Sequence, residues 1–149
     1  VAGVPSLLSG SIKKAIGRNQ QHRHKMAVVE KEYQGDRESH AKDAHTDWQV
    51  VESFGDIAAL VRCVIHTGRT HQIRVHMHSI GHPLIGDSVY TDRTKQLPKE
   101  AGYFTHRFHR QALHAYRLTL EHPSLQQPMS WESPIPKDIK ELLSQLTQL

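Results

Sequence analysis

Between His66 and Asp87 the sequence reads HTGRTHQIRVHMHSIGHPLIGD, with two arginines, five histidines and no acid before its last residue. Side chains of these types ligate metals, exchange protons near neutral pH or bind anions. For a metal, His76 and His78 stand two apart and His78 and His82 four apart. Gly81, however, ends the helix that an i, i+4 pair would need, and no cysteine pair or acid-rich partner stands nearby. Thirteen histidines in the chain produce such spacings by chance, so no metal site is expected. A purely structural role conflicts with electrostatics. Arg69, His71 and Arg74 crowd the start of a helix, where the macrodipole is already positive. A glycine turn that feeds a helix N-terminus dressed with arginines suits a phosphate or a carboxylate. This leaves a nucleotide, a nucleic acid and a buried aspartate all open.

The elements that would position these groups follow from periodicity. Trp48, Val50, Glu52 and Phe54 alternate, Gly55-Asp56 turns the chain, and Ile57, Ala59, Val61, Cys63 and Ile65 alternate again. Leu60 and Val64 fill part of the other face, so the pattern predicts a hairpin whose second strand is buried on both sides. Thr67-Gly68 breaks that strand, Thr70 is the expected N-cap, and Ile73, Met77 and Ile80 repeat at helical spacing. Gly81 and Pro83 stop the helix. At roughly 100° per residue, His71, Arg74 and His78 share a stripe beside the apolar one. Tyr116, Leu118 and Leu120, the turn PSLQQP, then Met129 and Trp131 predict a second hairpin. Ile139, Leu142, Leu143, Leu146 and Leu149 predict a C-terminal amphipathic helix. Antiparallel hairpins with flanking helices define an α+β class.

The chain has 149 residues, 37% of them hydrophobic, which supports one domain with a modest core. No run approaches the roughly 18–20 apolar residues of a membrane span, and the opening residues lack the apolar stretch of a signal peptide. The single cysteine, Cys63, excludes an internal disulfide and fits a reducing compartment, so a cytoplasmic location is expected. The net charge of +4 is unevenly spread. Lys13, Lys14, Arg18, Arg23 and Lys25 precede any acid. Residues 30–56 hold eight acids against three bases, and residues 57–86 hold Arg62, Arg69 and Arg74 without an acid. Basic blocks divided by one acidic block fit a face built for a polyanion. The acidic segment Glu30–Asp47 reads as an exposed loop or insertion.

HTGRTHQIRVHMHSIGHPLIGDSVY closely resembles the third motif of the RluA-type pseudouridine synthases. AIGRNQQHRHKMAV, RQALHAYRLTLEHP and SWESPIPKDIKELL resemble further segments of that family in the same order. The resemblance implies a mostly antiparallel mixed sheet with flanking helices, and conversion of uridine to pseudouridine in ribosomal or transfer RNA without cofactor or metal. The family's aspartate attacks the uridine at base C6 or ribose C1′. The glycosidic bond breaks, the base turns and a carbon–carbon bond forms through C5. The target base must first leave the stack. A carboxylate in such a closed pocket needs a fixed cation, and the resemblance assigns that part to Arg74. It also implies that Arg69, Thr70, His71 and Gln72 shape the site or meet RNA. Arg110 and His114, with Gln111, would lie near the cleft, and Arg18 and Lys25 belong to the basic face that would hold phosphates. Asp87 and Tyr90 of GDSVY match a segment read as structural.

The family's His-Arg-Leu-Asp word, which carries the nucleophile, is absent, and so is its active-site tyrosine. The expectation is therefore an N-terminally truncated catalytic domain, residues 1–149 being its C-terminal half, with the missing N-terminal half and RNA as partners. This chain alone is expected to be inactive and of low stability, or to pair Arg74 with a solvent anion. Two other functions compete: a non-catalytic RNA-binding remnant of the same fold, and a histidine-rich metal-binding protein.

Overall fold

Alternation predicts two hairpins, and both are present in the computed structural model, which describes residues 1–22, 24–29, 41–91 and 108–149. Strand β1 (Ser9–Lys13) pairs with β4 (His45–Phe54), which pairs with β5 (Ala58–Ile65), giving a three-stranded sheet of order β1-β4-β5. Strands β2 (Ile16–Arg18) and β3 (Met26–Val28) form a small hairpin, and β6 (Arg117–Glu121) and β7 (Pro128–Glu132) form another. All four pairings are antiparallel. Helix α1 (Gln72–Ser79) follows β5, and helix α2 (Lys137–Leu146) closes the chain. The class is α+β, as expected.

Local chemistry explains the turns. Gly55 takes φ 52° between β4 and β5. A register shift between Val50 and Glu52 bulges β4 opposite β5. α1 ends in a Schellman arrangement. The amide of Gly81 (φ 86°) donates to His78 O at 3.0 Å, and that of His82 donates to Met77 O at 2.9 Å.

Three expectations change. β5 is buried only at its start, and Val64 and Ile65 are half exposed, at 53% and 50%. Among the described residues β5 has a strand neighbour on one side only, so its far end lacks cover. The N-cap of α1 is His71, in the left-handed region and without a side-chain cap bond, rather than Thr70, which is exposed. Asp47 belongs to β4, which begins inside the acidic segment, and Lys42 bridges Ile16. Glu30–His40 of that segment lies outside the described residues.

The core falls into three apolar clusters. Phe54, Ala58, Ile85, Leu142 and Leu146 dock α2 on the β4–β5 turn. Ile12, Trp48, Met77 and Leu84 pack α1 on the sheet, with the Trp48 indole over Gly10, where a side chain would clash. Ile16, Ala44, Val75 and Tyr90 join α1 to the β2–β3 hairpin. Leu84, Ile85 and Tyr90 each enter a different cluster. The segment after α1 therefore stitches the three together, and by burying those side chains it also fixes Asp87 in the middle of the structure.

Candidate active site

The stripe of His71, Arg74 and His78 expected from helical spacing exists, and it faces Tyr90. The His71 ring meets the Tyr90 ring edge-on at 5.6 Å, the His78 ring lies 6.3 Å away, and the Arg74 guanidinium sits 4.9 Å from the Tyr90 centroid. The Tyr90 hydroxyl accepts from the Met26 amide at 3.0 Å, which leaves its proton for His71 Nδ1 at 2.8 Å. That bond helps hold His71 at φ 57°, a conformation uncommon outside glycine. Burial, then the neighbouring Arg74 charge, lower the His71 pKa and favour a neutral ring.

Arg74 is buried and so is Asp87 (9% and 1% exposed). Its Nε and Nη2 donate to Asp87 Oδ2 and Oδ1 at 2.7 and 2.8 Å, a two-pronged pair. Asp87 Oδ1 also accepts from the Val89 and Tyr90 amides at 2.9 and 3.1 Å. Burial would raise the Asp87 pKa, but the Arg74 bonds and the two amides outweigh it and hold the carboxyl below its usual range. The same bonds raise Arg74 further. The cation that the sequence left without a partner is thus neutralised by the last residue of its own stretch. No solvent anion is required. Gly86, at φ 73°, turns the chain so that Asp87 comes back against the helix.

Gln72 is buried and uses its whole amide. Oε1 accepts from the Thr67 hydroxyl and the Arg69 amide at 2.8 and 3.0 Å, and Nε2 donates to His45 O and Thr46 Oγ1 at 3.0 and 2.9 Å. These bonds pin the Thr67-Gly68-Arg69 turn to β4. His76, fully buried, has Nδ1 2.9 Å from Thr46 Oγ1 and Nε2 3.0 Å from Lys14 O. Lys14 O can only accept, so Nε2 carries a proton, and in the neutral ring Nδ1 then accepts from the Thr46 hydroxyl. Burial lowers the His76 pKa and so favours the neutral ring.

A cavity of about 350 Å³ opens beside this assembly, lined by Ile65, Gly68, Arg69, His71, Gln72, Ile73, Arg74, Gln111 and Leu113. Arg69 is anchored by its Nε to Asp43 O at 2.9 Å. Arg110 holds Asp138 of α2 at 2.7 and 3.0 Å, and its Nη1 donates to Gln111 O and Leu113 O at 3.1 and 3.0 Å. It therefore braces Gln111 and Leu113, which line the cavity. His114 follows Leu113, with Nε2 3.1 Å from Ser133 O. Arg18 and Lys25 are at the tip of the β2–β3 hairpin and do not line the cavity. The hairpin still reaches the site through the Met26–Tyr90 bond. Sequence reasoning gave Asp87, Tyr90 and His76 no part in this assembly. The available signal was that Asp87 is the only acid in the stretch.

A family profile described as RNA pseudouridylate synthase matches residues 4–79, half of the chain. The chain belongs to this family, of the RluA type. A relative named ribosomal large subunit pseudouridine synthase D, from Nitrosomonas europaea, is 45% identical over 140 residues, covering 94% of this chain and 37% of the relative. A protein of the same name from Pseudomonas aeruginosa is 43% identical over 142 residues, covering 93% of this chain and 41% of the relative. The chain thus spans less than half the length of these curated relatives. Among solved structures, human RNA pseudouridylate synthase domain containing 4 superposes with a TM-score of 0.70 at 26% identity, over 97% of this chain and 59% of that one. Human RNA pseudouridylate synthase domain containing 1 gives 0.68 at 24% identity, over 97% and 62%, which supports the same synthase fold. The profile match ends at Ser79, so in this family member Asp87 and Tyr90 lie beyond it.

Proposed function

We propose that this chain forms the C-terminal part of the catalytic domain of an RNA pseudouridine synthase that acts on ribosomal or transfer RNA in the cytoplasm. The observation that carries the reading is the buried, two-pronged Arg74–Asp87 pair at a cavity wall, in a chain of this family. Asp87 occupies the Nε side of the guanidinium and fixes its plane. The remaining edge of Arg74 then serves the nucleophilic aspartate of the upstream half, keeping it ionised in a closed pocket. Gln72 and His71 position the turn and the helix start. Arg69 at the cavity, the exposed Thr70 next to it in sequence, Arg110 and His114 on the segment that carries Gln111 and Leu113, and Arg18 and Lys25 on the β2–β3 hairpin meet RNA phosphates, which makes affinity salt-dependent. No cofactor takes part.

Tritium release from RNA labelled at uridine C5 tests the reading. The 149-residue chain alone should give none, and the protein extended by its upstream half should release tritium. Arg74→Ala in the extended protein should abolish release while RNA binding persists. Release by that variant would overturn the role given to Arg74. Release by the isolated chain would mean that one of its own acids is the nucleophile. RNA binding by the extended protein without any release would favour a non-catalytic RNA-binding protein, the reading suggested by the absence of the family's aspartate word.

A further inference from the structure

His45, Asp47 and His66 come together where β4 begins and β5 ends, and none of them lines the cavity. His45 and Asp47 lie on one face of β4, and His66 follows β5 with its amide donating to His45 O at 3.0 Å. The two imidazoles stack at 4.1 Å with 15° between their planes. Both direct Nε2 to the same carboxylate, His45 at 2.9 Å from Oδ1 and His66 at 2.6 Å from Oδ2. Ser11 of β1, opposite Asp47 in the register, places its hydroxyl 2.9 Å from His45 Nε2. One ligand atom from each of the three residues lies within 4.8 Å of the others.

We propose that His45 Nε2, His66 Nε2 and the Asp47 carboxylate form a binding site for a divalent first-row transition ion, with zinc the best fit. The chemistry of the donor set points there. Two neutral imidazoles and one carboxylate suit zinc, nickel or copper rather than calcium or magnesium. Both imidazole contacts end on one carboxylate, one at each oxygen, rather than running in series. Ser11 and Asp47 both face the same nitrogen of His45, so a serine–histidine–aspartate relay, which needs the two imidazole nitrogens separately, is excluded. The side chains are 28%, 44% and 46% exposed for His45, Asp47 and His66. Hydrogen bonds between groups so exposed contribute little to stability. Ligands of a tetrahedral zinc ion at about 2.0–2.2 Å stand roughly 3.3 Å apart. The two His–Asp contacts, at 2.9 and 2.6 Å, are shorter than that, so the carboxylate and rings must part and turn to admit the ion. Three protein ligands leave positions open to water.

The backbone needed for the site is already fixed. The His45 amide donates to Thr67 Oγ1 at 3.0 Å, and Thr67 in turn donates to Gln72. A bound ion would thus tie the ends of β4 and β5 directly beneath the turn that carries Arg69. The site does not depend on the function proposed above.

Calorimetric titration of the 149-residue chain with zinc chloride tests the proposal, together with ¹⁵N spectra of its histidine rings. One equivalent is expected to bind. Asp47→Asn and His66→Gln should each weaken binding by at least the roughly 10–100-fold that loss of a hydrogen bond to a metal ligand costs such a site. The double variant His22→Gln with His24→Gln should bind as the unmodified chain does. Zinc should shift the Nε2 resonances of His45 and His66 first, a readout on the unmodified chain that decides the matter even if a variant fails to fold. Absence of binding would overturn the site, as would unchanged binding in His66→Gln, or saturation without movement of those two resonances.

Discussion

Arg74 and Asp87 exchange two short hydrogen bonds where water hardly reaches, so each depends on the other. Asp87→Asn leaves a buried guanidinium without a counter-charge, and a loss of about 3–5 kcal/mol is expected in urea denaturation. Arg74→Lys keeps the charge but not the planar fork and should fall between that variant and the unmodified chain. The pair also sets a pH dependence. The folded-state pKa of Asp87 lies below its unfolded value, so its contribution is complete above about pH 3.9 and is lost as pH falls through the folded value. His76 acts in a higher window. Burial depresses its folded pKa, with the Lys14 charge adding to it, and outweighs the bond to Lys14 O, which favours the charged ring. Its contribution is complete above about pH 6.5 and is lost as pH drops below that, because the unfolded chain takes up the proton. Melting temperatures from pH 8 to pH 3 should therefore fall in two steps, and Asp87→Asn should keep the upper step and shrink the lower, to which the lowered Asp47 and Asp138 also contribute. A single step near pH 4 in the unmodified chain would contradict the neutral His76. At this scale the need for an anion near Arg74 was legible, because a cation at a helix start demands one. The partner itself was not, because a positive-φ turn between the two closes a contact across 13 residues that no periodicity encodes.

Gly86 is the element-scale counterpart of that contact. A Cβ there would stand 2.1 Å from Arg110 O and 2.8 Å from Phe108 O, at φ 73°. The left-handed conformation costs an L-residue roughly 1–2 kcal/mol, and the clash with backbone adds to it. Gly86→Ala should thus destabilise the chain by more than about 2 kcal/mol, read by urea denaturation. Gly55→Ala, with open space around it, should lose only the conformational part. Equal losses at the two glycines would mean that the segment carrying Arg110 does not press on Gly86. The long hairpin, the β6–β7 hairpin and both helices were legible because alternation, turn residues and a 3.6-residue repeat agree over eight or more residues in each. β2 and β3 were not. Each is three residues long, too short to show a period, and is held by the Ile16–Lys42 bridge and by Tyr90, contacts distant in sequence. The double burial expected of β5 failed for a related reason. Apolar residues on both faces of a strand state what the strand could bury, whereas cover depends on neighbours.

At the scale of the molecule, one hairpin lies outside the core formed by the described residues. No residue of β6 or β7 belongs to the three apolar clusters, and Leu118, Leu120 and Trp131 remain 59%, 41% and 46% exposed. An isolated two-stranded hairpin is marginal in water, and exposed apolar side chains on it act as an adhesive surface. If the upstream half proposed above completes the domain, part of this surface should be covered by it. The two tryptophans allow a direct measurement, because Trp48 is buried at 8% exposure while Trp131 is not. Trp48→Phe leaves Trp131 as the sole tryptophan reporter. In the 149-residue chain its fluorescence should be readily quenched by iodide, and sedimentation should show association that grows with concentration. In the extended protein the same reporter should be protected and the protein should sediment without that dependence. Trp131 quenched equally in both proteins would show that the hairpin projects freely from the complete domain, and the source of its order would then have to lie in contacts with RNA.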